Sequence, residues 1–487
     1  MAPRSTCLLL LLGTQVSGLR RPLSIPRTRL MRRAATVNPS LQQIQTDEAW
    51  DVEAWRKGYS NCEKEDIYSL DASTLPADLE GTFFRNGGAK YVVGEEKVLH
   101  PFDGDGMIAA ITVKDGGAFY RNKFVRTPGY KKELRENKIC YRGTFGTKKK
   151  GWNLLDLRVK NLANTHVLFW ADRFFALWEG GKPFKVDPAS LSTFGESQLG
   201  GALRPKDNFA AHYKIDPKRE RLCNFCAVPD PPSGGSTITT FEFDKDFNMV
   251  YRRDVQIPAF AVTHDTAITD NYFVFAVAPV KFDPVPFVLG QKSAAQCIEY
   301  DGDNSPSQFI LVPRDPEKEE TIIEAPAHFN FHNANAFEDA DGNVVLDQVN
   351  TPYMILTDSS SGEEPIWNTV DWEADVPATQ LERWTLDPRT KTVVSRGRIT
   401  SEQPEFPTVA PVAVGQPYKY MYSGAARDSN VKGPVGAYIK VDMETQECQK
   451  WKAEPYEFVG EPVFAPRKLP DGSFATGEDT LELAPKP

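Results

Sequence analysis

Histidine is scarce in this chain, and long apolar runs are missing. The 487 residues include only six histidines. No stretch is apolar enough over about 20 residues to cross a bilayer as a helix. The seven cysteines are scattered, and the single CxxC phrase, Cys223 to Cys226, has no second pair. Such a set indicates a reducing compartment, and the lone CxxC predicts two buried thiols, because residues three apart on a strand face opposite sides.

The first 46 residues contain no acidic side chain and no lysine. They carry seven arginines, and Asp47 is the first carboxylate. Five leucines lie between Cys7 and Gly13, and most of the arginines follow among Ser, Thr and Pro. A short apolar segment before an acid-free, Arg-rich stretch is typical of targeting peptides. We expect residues 1–46 to be a signal peptide joined to a plastid transit peptide. A mitochondrial presequence and the basic tail of a cytoplasmic protein are the alternatives.

The rest of the chain is acidic. Setting aside the seven leader arginines changes the net charge from −9 to −16 for residues 47–487. A body this acidic is a poor phosphate binder, which argues against nucleic acid as a partner. The hydrophobic fraction of 40% is ample for a core, and no Ser/Gly tract or charge block interrupts it. We therefore expect one large domain over residues 47–487.

Helical periodicity is also rare after the leader. The best amphipathic helix candidate is residues 42–58. Beyond it, short runs rich in Val, Ile, Phe, Tyr and Thr alternate with Gly, Pro, Asn and Asp. Many short strands with regular turn signals are typical of an all-β sandwich, barrel or propeller.

A weak internal repeat narrows the choice. A phrase of the form apolar-x-apolar-Asp recurs six times, ending at Asp187, Asp216, Asp244, Asp301, Asp387 and Asp442. The intervals lie near multiples of about 28 residues, as two hairpins to a four-stranded blade would give. Each aspartate is placed to cap a turn at the end of a strand. The pattern favours a propeller and does not fix the number of blades.

Three histidines stand inside apolar, β-rich phrases. They are His212 in Phe-Ala-Ala-His-Tyr, His264 in Val-Thr-His-Asp-Thr, and His332 in Phe-Asn-Phe-His-Asn. They lie 52 and 68 residues apart, so only the fold can bring them together. Converging neutral imidazoles suit a first-row metal such as Fe(II) or Zn(II). The alternative is three unrelated buried histidines, each hydrogen-bonded to a backbone carbonyl.

Several phrases, in a fixed order, identify a family. They are Gly81-Thr-Phe-Phe-Arg-Asn-Gly, Pro101-Phe-Asp-Gly-Asp-Gly-Met, Asn164-Thr-His-Val-Leu, Ala176-Leu-Trp-Glu-Gly-Gly and Gly460-Glu-Pro-Val-Phe. From about residue 51 to residue 479, the chain resembles the carotenoid cleavage dioxygenases. That resemblance implies a seven-bladed β-propeller with a dome of loops and helices over one face. It also implies Fe(II) on the central axis.

The resemblance assigns roles to individual residues. It places His212, His264 and His332 at three of four histidine ligand positions, and it leaves His100, His166 and His328 without a ligand role. It pairs Glu179 with His264 and Glu405 with His332, and it gives His212 no carboxylate partner. Glu461 would steady the fourth histidine. We expect the three glutamates to be buried, because each lies in a mostly apolar phrase.

The end of the sequence departs from the family pattern. No histidine follows His332 in these 487 residues. We expect an incomplete last blade and a buried Glu461 with no imidazole between it and the metal. Such a centre would bind iron poorly.

The implied function is a non-haem iron dioxygenase. It would cleave a double bond of a carotenoid or apocarotenoid with O₂ to give two carbonyl products. The alternative is a catalytically silent or impaired carotenoid-binding propeller. A zinc hydrolase would need a general base beside the metal, and no HExxH phrase is present.

One apolar segment suggests how a lipid-soluble substrate would enter. Residues 279–290 are apolar but are broken by prolines and by two opposite charges. We expect this segment to form part of the dome, at the mouth of a tunnel that rests on a membrane. The net negative charge favours a hydrophobic over an electrostatic contact. Core packing under a loop is the alternative.

Overall fold

The fold is almost entirely antiparallel β-sheet. The computed structural model describes residues 49–230, 234–357, 364–467 and residue 469. The predicted targeting peptide, residues 1–46, lies outside these ranges. In the described ranges, no helix has both the length and the apolar character needed to cross a bilayer.

The first half of the described chain forms three sheets. The first contains β1 (Ile67–Leu70), β2 (Gly81–Gly88), β5 (Gly106–Lys114) and β6 (Gly117–Phe124), with a hairpin of β3 (Val92–Val93) and β4 (Glu96–Lys97) inserted after β2. The second contains β7 (His166–Trp170), β8 (Arg173–Leu177), β9 (Phe184–Val186) and β10 (Thr193–Glu196). The third contains β11 (Lys214–Asp216), β12 (Arg221–Asp230), β13 (Gly235–Phe243) and β14 (Met249–Ile257).

The second half forms three more. The fourth contains β15 (Ala267–Ile268), β16 (Tyr272–Val277), β19 (Ser307–Pro313) and β20 (Thr321–Ala325), with a separate pair, β17 (Val280–Phe282) and β18 (Ile298–Tyr300), inserted after β16. The fifth contains β21 (Phe329–Glu338), β22 (Val344–Thr351), β23 (Gln380–Asp387) and β24 (Thr392–Arg398). The sixth contains β25 (Pro404–Val409), β26 (Tyr420–Ala426), β27 (Val435–Asp442) and β28 (Cys448–Lys452).

Within the ranges that the structure describes, the helices are few and short. They are α1 (Val52–Lys57), α2 (Pro128–Glu136), α3 (Val285–Val288), α4 (Ile366–Thr369) and α5 (Trp372–Asp375), with 3₁₀ turns at Pro101–Asp103, Leu199–Gly201, Ala295–Cys297 and Pro411–Ala413. The predicted helix over residues 42–58 is wrong in its described part except for α1. Asp51 is extended, and its side chain accepts a hydrogen bond from the backbone N–H of Ala54, so the helix can begin only after it.

The sheets are arranged as the blades of a β-propeller. Inner strands of neighbouring sheets lie side by side: β2 against β7, β11 against β15, β15 against β21, and β21 against β25. The described residues form six four-stranded sheets. The all-β propeller predicted from the sequence is therefore confirmed, and its count of seven blades stays a prediction.

Apolar layers join consecutive sheets. Five clusters of buried side chains fill the interfaces from the first sheet to the sixth, one at each interface. Between the third and fourth sheets, for example, the rings of Phe225 and Phe275 meet edge to face at 5.1 Å. In the described residues, no such cluster joins the sixth sheet to the first. We call this place the closing seam.

Backbone contacts bring the two ends of the described chain together at the closing seam. The Asp51 N–H donates to the Pro455 carbonyl at 2.8 Å. Gly460 packs on the guanidinium of Arg85, so closely that a Cβ at position 460 would lie 2.3 Å from Arg85 Nη1. A side chain at position 460 would therefore have to displace the guanidinium of Arg85.

Five of the six repeated aspartates cap turns, as the sequence predicts. Oδ1 of Asp187, Asp216, Asp244, Asp387 and Asp442 accepts backbone N–H groups two to four residues later. Each of these five follows or ends a strand of a four-stranded sheet. The sixth copy, Asp301, follows β18 in the separate two-stranded sheet, so it does not mark a blade.

The lone CxxC is also as predicted. Cys223 and Cys226 are buried and unpaired on β12. Cys223 packs in the layer between the third and fourth sheets, whereas Cys226 packs in the layer between the second and third. The two thiols face opposite sides of the strand and cannot share a metal ion.

Candidate metal centre

The fold brings His212, His264 and His332 to one place. His212 lies two residues before β11, His264 lies three residues before β15, and His332 is part of β21. These positions belong to the inner edges of the third, fourth and fifth sheets. One ring nitrogen from each histidine lies within 4.8 Å of the other two. The ring centroids are 4.3, 4.8 and 5.1 Å apart.

Two β-bulges shape the site. The pairing of β21 with β22 shifts register on both sides of Asn333, next to His332. The pairing of β25 with β26 shifts between Glu405 and Thr408. A bulge changes the direction in which a side chain leaves its strand. Within the second bulge, Phe406 has a φ of 57°, in the left-handed region that side chains rarely occupy.

Two carboxylates hold two of the rings. His264 Nδ1 lies 2.8 Å from a carboxylate oxygen of Glu179, and His332 Nδ1 lies 2.6 Å from one of Glu405. Because a carboxylate only accepts, Nδ1 carries the proton in each ring and Nε2 is left with a free lone pair. In the described residues, the His212 ring makes no hydrogen bond to a carboxylate. These are the pairs that the resemblance implies.

The histidines differ in their affinity for protons. Burial lowers the pKa of His212 well below its usual range, and the neighbouring His264 and His332 rings add to the effect. Burial also acts to lower the pKa of His332, but the Glu405 carboxylate outweighs it and the pKa is raised. His212 is therefore a neutral nitrogen donor at neutral pH.

The other histidines are used elsewhere. His328 Nδ1 donates to the Pro326 carbonyl at 2.8 Å, and its Nε2 lies 2.9 Å from the side-chain nitrogen of Gln348. Burial lowers the pKa of His328 to about 4, so this ring is neutral and structural. His166 Nδ1 donates to the Ala211 carbonyl at 3.1 Å, and His100 Nδ1 accepts from the Phe102 N–H.

The prediction of a buried Glu461 is wrong. The residue is exposed, and in the described part of the chain its carboxylate makes no hydrogen bond. Its charge still acts on the site, because it contributes to raising the pKa of His332 and of Tyr213. The physical reason is local: the neighbouring Gly460 and Pro462 are buried, and the Glu461 side chain between them faces solvent. Glu179 and Glu405 are half-buried, with side-chain exposures of 40% and 21%.

Aromatic side chains and one ion pair near the site were not predicted. The Phe331 ring lies 5.5 Å from that of His264, and the Phe406 ring lies 5.2 Å from that of His332. Lys214 Nζ lies 2.8 Å from Asp265 Oδ1. Proximity in sequence could have identified these residues, because each of them lies within two positions of a predicted site residue.

The donor set fits a divalent first-row metal. Three imidazole nitrogens face one another, and two of the rings have their tautomers set by carboxylates. Imidazole ligands suit Fe(II), Co(II) and Zn(II), and an outer carboxylate is their usual partner. His212, His264 and His332 would hold such an ion. Their role as ligands stays a prediction.

Known proteins share both the sequence and the fold. Apocarotenoid-15,15′-oxygenase of Synechocystis sp. is 37% identical over 431 residues, which are 86% of each chain. Carotenoid cleavage dioxygenase 7, chloroplastic, of Oryza sativa subsp. japonica is 27% identical over 80% of this chain and 77% of its own length. The crystal structure of cobalt-substituted Synechocystis ACO superposes with a TM-score of 0.81 and 35% identity, covering 88% of this chain and 89% of that one.

The match to a protein family spans most of the described residues. The family described as retinal pigment epithelial membrane protein matches residues 59–480. That range contains all six sheets and all three converging histidines. The chain therefore belongs to this family, that of the carotenoid cleavage dioxygenases.

Proposed function

We propose that the chain is a non-haem Fe(II) dioxygenase. It cleaves one double bond of a carotenoid or apocarotenoid with O₂ and yields two carbonyl products. The observation that carries this proposal is the cluster of three imidazoles, two of which have their tautomers set by carboxylates. The similarity to a relative named apocarotenoid-15,15′-oxygenase supports the substrate class. Fe(II) bound by the three histidines would supply the oxygen chemistry.

The protein's own residues would bind the metal ion, orient the substrate and exclude water from the site. Imidazole ligands bring no charge to a bound ion, so the acids Glu179 and Glu405 would offset the charge of a divalent ion. Phe331 and Phe406 give the site an apolar wall on which a polyene can lie. The cleavage requires no protein acid, base or nucleophile. Function therefore rests on geometry and on the exclusion of water.

We propose that a seventh blade closes the ring and that a dome covers one face. The support for an additional blade is that the described residues form no shared apolar layer between the sixth and first sheets, at the closing seam. The elements outside the six sheets, which include the β3–β4 and β17–β18 pairs and helices α2 and α3, are suited to form the dome.

A membrane-facing surface is proposed from exposed apolar side chains. Trp152, Leu155, Leu157, Val285 and Leu289 are between 45% and 75% exposed. They belong to two neighbouring segments, residues 152–159 and 285–289, which we call the apolar tip. The Leu155 N–H donates to the Val288 carbonyl at 2.9 Å, so the segments are joined. In α3 no residue is buried, which argues against the alternative of core packing for this segment.

A buried arginine makes the apolar tip rigid. The Arg142 guanidinium donates to the carbonyls of Asp156 and Phe287 at 3.2 and 2.7 Å, and also to that of Lys292. It lies over the Phe287 ring at 4.2 Å. One side chain thus binds both segments. A preformed apolar surface can enter a bilayer without first having to become ordered.

Vesicle flotation tests this surface. We expect the protein to float with neutral phospholipid vesicles at high salt, because the contact is hydrophobic. The double substitution Leu155→Asp and Val285→Asp should abolish flotation. Phe194→Asp is the matched control, since Phe194 is 66% exposed on β10, outside the apolar tip. Flotation that survives the double substitution, or that is lost equally in the control, would contradict the proposal.

Product analysis under labelled oxygen tests the reaction. The Fe(II)-loaded protein is incubated with a panel of carotenoids and apocarotenoids under ¹⁸O₂, and the products are identified by mass. We expect two carbonyl products, each carrying one labelled oxygen. His332→Ala should stop the reaction. His100→Asn should not, because an asparagine can also cap the 3₁₀ turn at Pro101–Asp103. Binding of a carotenoid without turnover would favour the alternative, a silent binding propeller.

We propose that residues 1–46 direct the protein to a plastid. The support is the acid-free, arginine-rich composition and the relative from Oryza sativa that is named chloroplastic. A fluorescent protein that carries these residues should enter the plastid of an algal or plant cell. Replacing Arg20 and Arg21 by Glu should reduce entry. A purely cytosolic or mitochondrial signal would refute the proposal.

A further inference from the structure

Asp265 lies at the junction of the three histidine segments. It follows His264 directly, and only 3% of the residue is exposed. Its Oδ1 accepts from Lys214 Nζ at 2.8 Å and from the Thr266 N–H at 2.7 Å. Its Oδ2 accepts from the Asn333 N–H at 2.8 Å. Both carboxylate oxygens are therefore engaged within the protein.

The partners of Asp265 come from both neighbouring sheets. Lys214 is the first residue of β11 and lies two residues after His212. Asn333 lies in β21, directly after His332 and within its bulge. Asp265 itself lies two residues before β15 in the fourth sheet. One side chain thus ties together three segments that each carry one of the converging histidines.

These contacts hold the fourth sheet to its neighbours at the level of the site. The apolar layers between sheets are non-directional and do not fix the position of one segment against another to within an ångström. Hydrogen bonds to a buried carboxylate are directional and are stronger than neutral ones. The Lys214 side chain, 20% exposed, neutralises a carboxylate whose own side chain is 2% exposed. The pair thus adds no net charge beside the imidazoles.

We infer that Asp265 is a positioning residue for the metal centre: through Lys214 and the Asn333 N–H, it sets the spacing of His212, His264 and His332. The inference rests on the proposed metal site and deepens it. Asp265 does not ligate the ion. Its loss changes the geometry of the three nitrogens and leaves their number unchanged.

Co(II) binding to the purified, full-length chain gives a readout other than activity. We expect Asp265→Asn to weaken Co(II) binding, measured by competition with a chelator, by about 10–100-fold, as for other outer partners of metal ligands. The visible absorption of the bound Co(II), which reports ligand geometry, should also change. Asp347→Asn is the matched control. Asp347 is equally buried and is paired with Arg383 and Tyr418, but it has no contact with the site histidines.

A double substitution separates geometry from charge. In Asp265→Asn, the unpaired Lys214 ammonium repels the metal ion, and adding Lys214→Met removes that repulsion. We expect the double variant to regain part of the affinity while its Co(II) spectrum stays altered. A spectrum that returns to the native one would show that the effect is electrostatic and would overturn the inference.

The remaining outcomes are also decisive. A native chain that binds no Co(II) refutes the proposed metal site and this inference with it. Native binding with an unchanged affinity and spectrum in Asp265→Asn refutes the inference alone, as does an equal loss in Asp347→Asn. If Asp265→Asn does not fold, the Co(II) spectrum of the single variant Lys214→Met tests the inference. An altered spectrum supports the positioning role, and a native spectrum overturns it.

Discussion

The histidine cluster has two unlike sides. On one side, the third, fourth and fifth sheets meet through continuous apolar layers, and the acids near the cluster are hydrogen-bonded. On the other side is the closing seam, where Glu461 is exposed and, in the described residues, no apolar layer joins the sheets. Contact with an imidazole, not burial alone, therefore separates Glu179 and Glu405, which are fixed partners, from Glu461, which remains a solvated charge.

Removing one aromatic ring from the packed side should have the largest effect on stability. Phe225 is 1% exposed between the third and fourth sheets. We expect Phe225→Ala to lower the free energy of unfolding by about 3–5 kcal/mol, because it loses buried area and leaves a cavity. Phe464→Ala, at a half-buried residue that packs on the layer between the fifth and sixth sheets, should cost no more than about 1–2 kcal/mol. Urea unfolding measures both, and equal losses would contradict the dependence of the cost on burial.

The pH dependence of the free energy of unfolding reports how completely water is excluded from His328 on the packed side. Burial lowers the pKa of His328 from 6.5 to about 4. Below pH 6.5 the unfolded chain binds a proton that the folded chain does not. Stability is therefore fully present above pH 6.5 and is lost as the pH falls towards 4, by about 3 kcal/mol.

The variant His328→Phe isolates that contribution. A phenyl ring keeps the stacking on Trp384, whose ring centroid lies 4.8 Å from that of His328, and it cannot be protonated. We expect the free energy of unfolding of this variant to fall less steeply between pH 6.5 and pH 4 than that of the native chain. An identical slope in the two proteins would mean that His328 does not titrate as its burial requires.

The smallest expected effects come from the acids themselves. Glu179→Ala and Glu405→Ala should each weaken metal retention by about 10–100-fold, because the imidazole loses the acceptor that fixes its tautomer. Glu461→Ala should change metal retention by no more than about threefold, because an exposed charge is screened by solvent. Equal losses in all three variants, measured by metal analysis after dialysis, would show that Glu461 is also a fixed partner.

Local patterns predicted the parts of the fold that depend on neighbours in sequence. Five of the six aspartates of the repeat cap their turns because each cap involves only the next few residues. Cys223 and Cys226 face opposite layers because strand periodicity alone decides it. The exposure of Glu461 could not be predicted in this way, because it depends on how the buried neighbours Gly460 and Pro462 pack in the folded chain.

The candidate site also has a part that the sequence predicted and a part that it did not. The phrases around His212, His264 and His332 identified the residues that the structure brings together. The role of Asp265 was not visible, because its partners Lys214 and Asn333 are 51 and 68 residues away in sequence. Only the three-dimensional arrangement of the blades shows that one carboxylate serves three segments.

At Phe406, the left-handed backbone conformation is unfavourable for folding, while the aromatic ring contributes to the site. A non-glycine residue in this conformation costs about 1–2 kcal/mol, and glycine would adopt it freely. A glycine there would relieve this backbone cost but would remove the half-buried ring that lies 5.2 Å from that of His332. A search for thermostable variants that scores backbone strain alone would select this replacement and lose the aromatic wall of the site. Position 406 should be kept fixed when the stability of this propeller is engineered.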